Sequence, residues 1–347
     1  MMKKLCIIGH FGFAENMLNG QTIKTKSITS ELERQLGVNN VLKIDTHGGI
    51  SQIPKIFIKT IVAFAQCKNI IILPAQNGLR LFTPLCVALN KIFHRRLHYI
   101  VIGGWLNDFL FEYKGLERKL KKFSAIYVET DAMKKLLKKK EFENVVVMPN
   151  FKNIRIIRDN ELIYTDVDPY RLCTFSRVMK EKGIEEAIEA VKEVNSRFNK
   201  NMFMLDIFGQ IDNEQIEWFK TLEQAFPEFI SYKGLVPFDM SSEILKSYYA
   251  LLFPTYYEGE GFAGTLIDAM ASGVPVIASD WKYNDEIIVT GKTGILIRPR
   301  DNMALVEALM KIVNNSEWWN TLKVNCLEKA TEYAPDLAIK CLMDKLD

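Results

Sequence analysis

The chain has 347 residues, 48% hydrophobic and 25% charged, a balance that excludes extended disorder and predicts two globular domains. The net charge of +3 conceals two unequal halves: residues 1–160 hold 26 Lys and Arg against 12 Asp and Glu, whereas residues 161–347 hold 19 against 30. The basic half predicts an anionic partner (nucleic acid, an anionic membrane surface or a phosphorylated substrate), although a solvated Lys-rich face fits equally well. Six scattered Cys residues with no C-x-x-C pair favour a reducing cytoplasm.

Short apolar runs alternate with helix-like segments through the first half. In chain order the runs are KKLCIIG, VLKI, NIIILP, HYIVIGG, SAIYVE and NVVVMP. Helices are predicted over 22–35, 80–93 and 131–140. This alternation predicts a parallel sheet covered on both faces. The first apolar run is too short for a signal peptide, and no stretch supplies the roughly 20 apolar residues that a membrane-spanning helix needs.

Turn-forming residues cluster between positions 149 and 169, where helical periodicity is lost. We therefore predict a first domain over 1–158, a second over 159–330, and a C-terminal helix over 331–347 that packs back toward the first domain. Alternation resumes with RLCTFS, MFMLDIFG, FISYKG, YYALLFP and VPVIAS, and with helices over 184–198 and 305–313. The predicted fold class is α/β, with two Rossmann-like doubly wound parallel-sheet domains facing a central cleft, where such sheets bind ligands.

The most informative stretch reads LLFPTYYEGEGFAGTLIDAMASGVPVIASD. It predicts a strand, a glycine-rich loop over 258–264, a helix over 265–272 and a further strand. Amide groups at such a helix start bind diphosphates, helped by the helix dipole. Glu260 lies in the loop and Asp268 follows eight residues later, so the two carboxylates can accept hydrogen bonds from sugar and ribose hydroxyls. An isolated pair with this spacing is more often a capping acid and a surface acid.

The same stretch is similar to the E-x7-E region of the glycosyl transferases group 1 family of retaining GT-B enzymes. The match runs without a gap from Glu260 to Ser279 and departs from the family at Asp268, where a Glu is usual, and at Ala263-Gly264. Upstream, TFSRVMKEKG resembles the G-R-L-x-x-x-K-G segment of the family, with Arg177 and Lys182 at its basic positions.

The resemblance implies roles for these residues. Glu260, Arg177 and Lys182 would be catalytic, since fixed cations stabilise the charge that develops on the leaving nucleotide. No cofactor or metal is expected, because Asp166-Val167-Asp168 has a metal-binding spacing but lies in the predicted linker. The implied donor-binding residues are Asp268, Gly261, Phe262, Ala263, Gly264, Thr265, Gly209 and Lys233.

One segment of the first domain also resembles the family, and other residues there are candidates because of their position after predicted strands. Asn19-Gly20-Gln21-Thr22 is similar to its N-terminal glycine loop, so Gly20 and Gln21 are implied to approach the diphosphate, although a few glycines are more often turn residues. The segment GGWLNDF ends a strand, and Trp105, Asn107 and Asp108 are candidates for sugar or acceptor contacts, as is His10. Many relatives have a histidine near Trp105 and this chain does not, so no general base is assigned.

The resemblance implies a retaining hexosyltransferase that moves a sugar from a nucleotide-sugar, with UDP as the expected nucleotide. The acceptor is a glycan or lipid-linked sugar in cell-surface polysaccharide or glycolipid synthesis. A GT-B sugar-nucleotide epimerase and a non-catalytic glycosyltransferase-like partner are the alternatives.

Basic segments over 117–122 and 134–140, with Arg95-Arg96, predict peripheral attachment to an anionic membrane surface on the cytoplasmic side, against a simply solvated face. No nucleic-acid partner is expected, because these segments lack interleaved aromatic residues.

Overall fold

A computed structural model describes residues 3–13, 20–48, 52–237 and 240–346. The chain divides into two compact units, the first formed by Met1–Asn150 with Pro335–Asp347 and the second by Phe151–Ala334. The predicted boundary, after residue 158, lies within the second of these units. The intervening segment belongs to the second unit because the Ile157 N–H donates to the Ala271 carbonyl over 2.9 Å, which fastens the segment to a helix of that unit.

The first unit is built on a twisted parallel sheet. Within the described residues its strands are β1 (Lys3–Gly9), β2 (Val41–Asp45), β3 (Cys67–Ile72), β4 (Arg96–Ile100), β5 (Ala125–Val128) and β6 (Val145–Val147). Their order across the sheet is β2-β1-β3-β4-β5-β6. Strands β1, β3, β4 and β5 are largely buried, as the continuous apolar runs predict for a parallel sheet covered on both faces, whereas the edge strands β2 and β6 are only partly buried.

Helices connect these strands. They are α1 (Gly20–Leu36), α2 (Ile53–Gln66), α3 (Gln76–Phe93), α4 (Leu106–Glu112), α5 (Lys114–Leu120) and α6 (Asp131–Lys138). Helix α2 is not predicted by periodicity because apolar residues lie on nearly all of its sides. The predicted elements around β1, β3, α1, α3 and α6 are confirmed, with ends that shift by a few residues.

The second unit repeats this architecture. Its strands are β7 (Tyr170–Phe175), β8 (Phe203–Phe208), β9 (Ile230–Gly234), β10 (Ala250–Phe253), β11 (Val276–Ser279) and β12 (Gly294–Ile297), in the order β12-β11-β10-β7-β8-β9. Its helices are α7 (Ile184–Phe198), α8 (Ile216–Gln224), α9 (Ser241–Leu245), α10 (Gly264–Ala271), α11 (Asn302–Asn314) and α12 (Ser316–Thr331). A last helix, α13 (Pro335–Met343), belongs to the first unit. The prediction of two Rossmann-like parallel sheets is confirmed.

The strand orders locate where each sheet is expected to bind ligands. In the second unit the chain runs outward from β7 to β8 on one side and returns to β10 on the other, so the connections diverge between β7 and β10. Doubly wound sheets bind ligands outside the carboxyl ends of the strands at such a switch point. The loops after β7 and β10 are therefore the structural candidates, and they contain the motifs that the sequence singles out.

Candidate functional site

Two loops meet at the carboxyl ends of β7 and β10. The first covers residues 176–183 and the second covers residues 254–263. Gly183 has φ +74°, and a Cβ there would lie 2.3 Å from the Pro254 carbonyl oxygen, so only glycine allows this approach. The Tyr256 N–H donates to the Glu181 carbonyl over 2.8 Å. The two loops are therefore fixed against each other by main-chain contacts.

This contact brings together two of the predicted catalytic residues. The Lys182 Nζ lies 2.5 Å from Oε2 of Glu260, and the two side chains are only 11% and 8% exposed. The Thr255 hydroxyl donates to the same Oε2 over 2.9 Å. The Lys182 ammonium also lies 5.3 Å from the centre of the Phe253 ring and 5.2 Å from that of Tyr257, distances at which a ring face attracts a cation. The structure thus holds Glu260 in a buried, charge-compensated position.

Arg177, the third predicted catalytic residue, has a different partner in the structure. Its Nη1 lies 3.3 Å from Oδ2 of Asp212, and its side chain is 54% exposed. An exposed ion pair of this kind contributes little to stability, because solvent screens the charges. The guanidinium can therefore exchange Asp212 for an anionic ligand at small cost.

The start of α10 is anchored at the same edge of the sheet. The helix begins at Gly264, one residue earlier than predicted, with Ala263 in an extended conformation before it. The Thr265 hydroxyl donates to the Phe175 carbonyl over 2.5 Å, which ties the first turn to the end of β7. First-turn amides of a helix lack intrahelical acceptors and carry the positive end of the dipole. This geometry suits an anion beside the Lys182–Glu260 pair.

Not every residue of the glycine-rich loop faces outward. Gly261 directly follows Glu260. The next two residues, Phe262 and Ala263, are buried, since each is only 7% exposed. The Phe262 ring packs edge-on against Tyr333, with ring centres 5.1 Å apart. The Phe262 side chain therefore anchors the loop in the apolar core, which leaves its main chain as the part available to a ligand.

Asp268 is buried, with 1% of its surface exposed, and therefore is not the surface acid that an isolated pair would suggest. Its Oδ1 accepts a hydrogen bond from the Ser241 hydroxyl over 3.1 Å, and its Oδ2 pairs with the Lys152 ammonium. Sequence reasoning missed Lys152 and Ser241, because each lies far from α10 along the chain. The available signal was the acid itself, since a carboxylate on an apolar helix requires a partner.

Gly209 directly follows β8, and Lys233 lies on the adjacent strand β9. Gly209 has φ +136°, and a Cβ there would come within 1.7 Å of the Ser176 carbonyl oxygen at the start of the first loop. The Lys233 ammonium lies 3.4 Å from Asp206 Oδ1, and the Tyr248 hydroxyl donates to the other oxygen over 2.7 Å. Burial, together with this hydrogen bond, raises the pKa of Tyr248 above its usual range. The Lys233 side chain thus belongs to a polar cluster on β8.

In the first unit, His10 follows β1 and contacts two polar side chains. Its Nδ1 lies 2.8 Å from the Thr22 hydroxyl, and its Nε2 lies 3.1 Å from Nδ1 of His47. Burial raises the pKa of the nearby Asp45 carboxyl, but hydrogen bonds from backbone N–H groups, including those of His47 and Phe11, outweigh this and hold the pKa below its ordinary value. A polar cluster thus occupies the carboxyl end of β1 and β2.

The other predicted residues of the first unit make local contacts. Gly20 is the first residue of α1, and Gln21 Nε2 donates to the Leu73 carbonyl over 3.4 Å, while Asn19 lies outside the described residues. The Trp105 indole N–H donates to the Ile102 carbonyl over 2.8 Å. The Asn107 amide donates to Asp108 Oδ1 over 2.9 Å at the start of α4.

A buried ion pair of the first unit was not predicted. Lys24 of α1 pairs with Glu129, which follows β5, and their side chains are 6% and 4% exposed. The predicted linker acids Asp166 and Asp168 also have partners, since Asp166 accepts from the Asn320 amide and Asp168 pairs with Lys200.

Two features are absent from the described part of the chain. No helix there is both long and apolar enough to cross a membrane. No group of three His, Cys, Asp or Glu side chains lies close enough to hold a metal ion.

Residues 169–315 match the model of the family described as glycosyl transferases group 1. Through these residues, the chain is similar to the glycosyl transferases group 1 family. The matched region contains the β7 and β10 loops and all of α10, so the Lys182–Glu260 pair and the start of α10 lie within it.

Two curated proteins are similar to part of the chain. The chain is 27% identical to the UDP-N-acetylglucosamine–peptide N-acetylglucosaminyltransferase GtfA subunit of Streptococcus gordonii, over 57% of its own length and 38% of that protein. It is 27% identical to the capsular polysaccharide biosynthesis glycosyltransferase CapM of Staphylococcus aureus, over 43% of its own length and 38% of that protein. The chain thus spans well under half of the length of these relatives.

A solved structure has the same fold as this chain. HepE of Anabaena, crystallised with UDP, superposes with a TM-score of 0.77 over 99% of both chains at 14% sequence identity. The chain therefore has the GT-B fold.

Proposed function

We propose that the chain is a retaining, metal-independent hexosyltransferase that takes a sugar from a UDP-sugar. The observation that carries this proposal is the buried Lys182–Glu260 pair at the switch point of the second sheet. A cation, a carboxylate and a helix start converge there, which is the set of groups that a sugar diphosphate requires.

The leaving group explains the cations. Breaking the bond between sugar and diphosphate places negative charge on the departing UDP, and fixed positive groups lower the energy of that state. The N-terminus of α10 and Lys182 supply such groups, and Arg177 supplies a third after leaving Asp212. Because these groups do the work of a divalent ion, the proposed reaction requires no metal.

The donor sugar explains the carboxylate. Within the described residues, both hydrogen bonds of the Glu260 side chain use Oε2. Oε1 then remains available to accept hydrogen bonds from sugar hydroxyls. We assign Gly20 and Gln21 to the diphosphate and Trp105, Asn107, Asp108 and His10 to the sugar or acceptor.

The names of relatives support the choice of substrates. The GtfA subunit is named for a UDP-sugar donor, CapM is named for capsular polysaccharide synthesis, and the HepE structure contains UDP. We propose a glycan or lipid-linked sugar as acceptor, in cell-surface polysaccharide or glycolipid synthesis. A lipid-linked acceptor would place the enzyme on the cytoplasmic side of a membrane, held through its basic first unit.

A thermal-shift screen of nucleotides and nucleotide-sugars, followed by donor hydrolysis in the presence of EDTA, tests the proposal. UDP and one UDP-sugar should raise the melting temperature, and Glu260→Ala and Arg177→Ala should each lower turnover about 100-fold. Glu258→Ala is the matched control, since that side chain is 78% exposed and pairs only with Lys282 among the contacts of the described residues. It should retain turnover.

The outcomes separate the alternatives. If no nucleotide shifts the melting temperature, the proposal fails. Binding without turnover would identify a non-catalytic partner, and release of an epimerised sugar-nucleotide would identify an epimerase. Complete loss of activity in EDTA would contradict metal independence.

A further inference from the structure

One long segment of the first unit contains cations but no acids. Between Asp45 and Asp108 there is no Asp or Glu, whereas there are seven Lys and Arg residues. This segment forms α2, β3, α3 and β4. The outer surfaces of α2 and α3 therefore contain no carboxylate of their own to balance their cations.

The outward face of α2 is apolar. Ile56, Thr60, Ala63 and Phe64 point into the unit and are buried. On the other sides, Phe57 is 45% exposed, Ile58 62% and Val62 43%. A surface helix of a globular protein normally presents polar residues to water, whereas this outer face is apolar and stays uncovered by the described residues.

Two lysines flank this apolar face. Lys55 and Lys59 are both exposed and lie four residues apart, so they project from the same side of α2. Ile58 and Val62 have the same spacing and form the adjacent stripe. Helix α3 adds exposed Leu81 and Ile92. Apolar side chains beside cations, without acids, are the pattern of a helix that lies in the interface of an anionic bilayer.

The Lys-rich segments singled out from the sequence are less suited to this role. In the segment 117–122, Lys121 pairs with Glu117 over 3.0 Å. In the segment 134–140, the Lys140 ammonium lies 3.3 Å from the centre of the Phe111 ring. Part of their charge is thus already engaged within the protein, and acids lie among the cations.

We propose that α2 (Ile53–Gln66) is a membrane-docking helix that lies on an anionic lipid surface. Phe57, Ile58 and Val62 enter the boundary between headgroups and acyl chains, and Lys55 and Lys59 contact lipid phosphates. This inference rests on the proposed function in one respect only: docking would hold the enzyme beside a lipid-linked acceptor. The physical argument comes from the exposed surface and charge of α2.

Co-sedimentation with phosphatidylcholine vesicles, with and without phosphatidylglycerol, tests the inference at physiological salt. The wild-type chain should bind only the vesicles that contain phosphatidylglycerol. Lys55→Ala/Lys59→Ala should weaken binding about 30-fold, since each lysine near the surface contributes roughly a factor of five. Ile58→Ser/Val62→Ser should weaken it about tenfold or more, because two apolar side chains no longer leave water.

Matched variants control for charge and for apolar loss elsewhere. Lys135→Ala/Lys138→Ala removes two cations from α6, and Val289→Ser/Met303→Ser removes two exposed apolar side chains from the second unit. Both should bind vesicles nearly as the wild type does. Equal losses in these controls and in the α2 variants would overturn the assignment to α2.

Two further results would also overturn it. The first is absence of wild-type binding to either vesicle. The second is a wild-type dimer on size-exclusion chromatography that Ile58→Ser/Val62→Ser converts to monomer, because α2 would then be a protein interface. The UDP-induced thermal shift of each α2 variant should equal that of the wild type. A missing shift in the wild type would count against the proposed transferase and not against membrane docking.

Discussion

The buried pair of Lys182 and Glu260 is costly as well as useful. Removing two charges from water carries a desolvation penalty that their mutual attraction does not always offset. A pair retained at a switch point, with a hydroxyl and two aromatic rings around it, is therefore better explained by ligand chemistry than by stability. When a sugar diphosphate binds, we expect the Lys182 ammonium to leave Glu260 and to contact a phosphate, which it also suits.

Lys182→Met should destabilise the second unit by about 3 kcal/mol, because Glu260 would be left buried without a counter-charge. Lys182→Met/Glu260→Gln should recover most of that loss, since both charges are then removed, while donor turnover stays low. Urea unfolding of both variants measures the first effect and UDP-sugar hydrolysis the second. A single variant as stable as the wild type would contradict the burial of this pair.

Asp268 occupies the position where the similar family usually has a Glu, which is one methylene longer. The family pattern suggests a ribose contact, and this role remains a prediction. In the structure both carboxylate oxygens are engaged, one by Ser241 and the other by Lys152. A ribose hydroxyl can reach the carboxylate only if one of these partners moves, or it can bind Lys152, which is 29% exposed.

At the scale of elements, the site depends on how closely loops approach one another. Parallel strands place their carboxyl ends side by side, but backbone contact between successive loops also requires residues without a Cβ. Gly183 against Pro254 and Gly209 against Ser176 are two such contacts in the second unit. These glycines therefore set the position of the predicted cations relative to Glu260.

Gly209→Ala should destabilise the second unit by about 3 kcal/mol or more, because its added Cβ overlaps a main-chain oxygen in addition to the strain of positive φ. Gly234→Ala is the matched control: its φ is +74° and nothing lies within 4 Å of the new Cβ. That change should cost only about 1 kcal/mol. Denaturant unfolding compares the two, and equal losses would show that the close approach at Gly209 is absent.

At the scale of the whole molecule, the two units should respond differently to pH. His98 of β4 is fully buried in the first unit, where its ring nitrogens lie 3.2 Å from the Tyr127 hydroxyl and 3.3 Å from the Asn69 side-chain oxygen. Burial, followed by the charges of Arg96 and Lys345, lowers the pKa of His98 from 6.5 to about 4. The imidazole is therefore neutral in the folded chain at pH values where it is partly protonated in the unfolded chain.

The first unit should lose stability as the pH falls from about 6.5 to about 4. Across that range the unfolded chain binds the His98 proton and the folded chain does not, which favours unfolding; above about pH 7 the effect vanishes. The loss attributable to His98 should reach about 2 kcal/mol at about pH 5. Urea unfolding of the wild type and of His98→Gln, each at about pH 7 and at about pH 5, measures this loss of stability. Equal pH dependence in both proteins would contradict this assignment.

The order of strands and helices, and the residues that end them, follow from short stretches of sequence. Apolar runs, glycines and the Glu260–Ser279 motif lie close together along the chain, so local pattern suffices to predict two α/β units and the loop that contains Glu260. Helix α2 was not predicted because its outer face is also apolar. Only the structure shows that this apolar face is exposed.

Ion-pair partners cannot be predicted from local pattern, because the two residues of each pair lie far apart along the chain. Lys182 and Glu260 are 78 residues apart, Lys152 and Asp268 are 116 apart, and Lys24 and Glu129 are 105 apart. No local preference links such residues; strand order and helix packing bring them together. Burial then enforces the pairing, since a charge removed from water without a partner would cost more than the surrounding contacts provide.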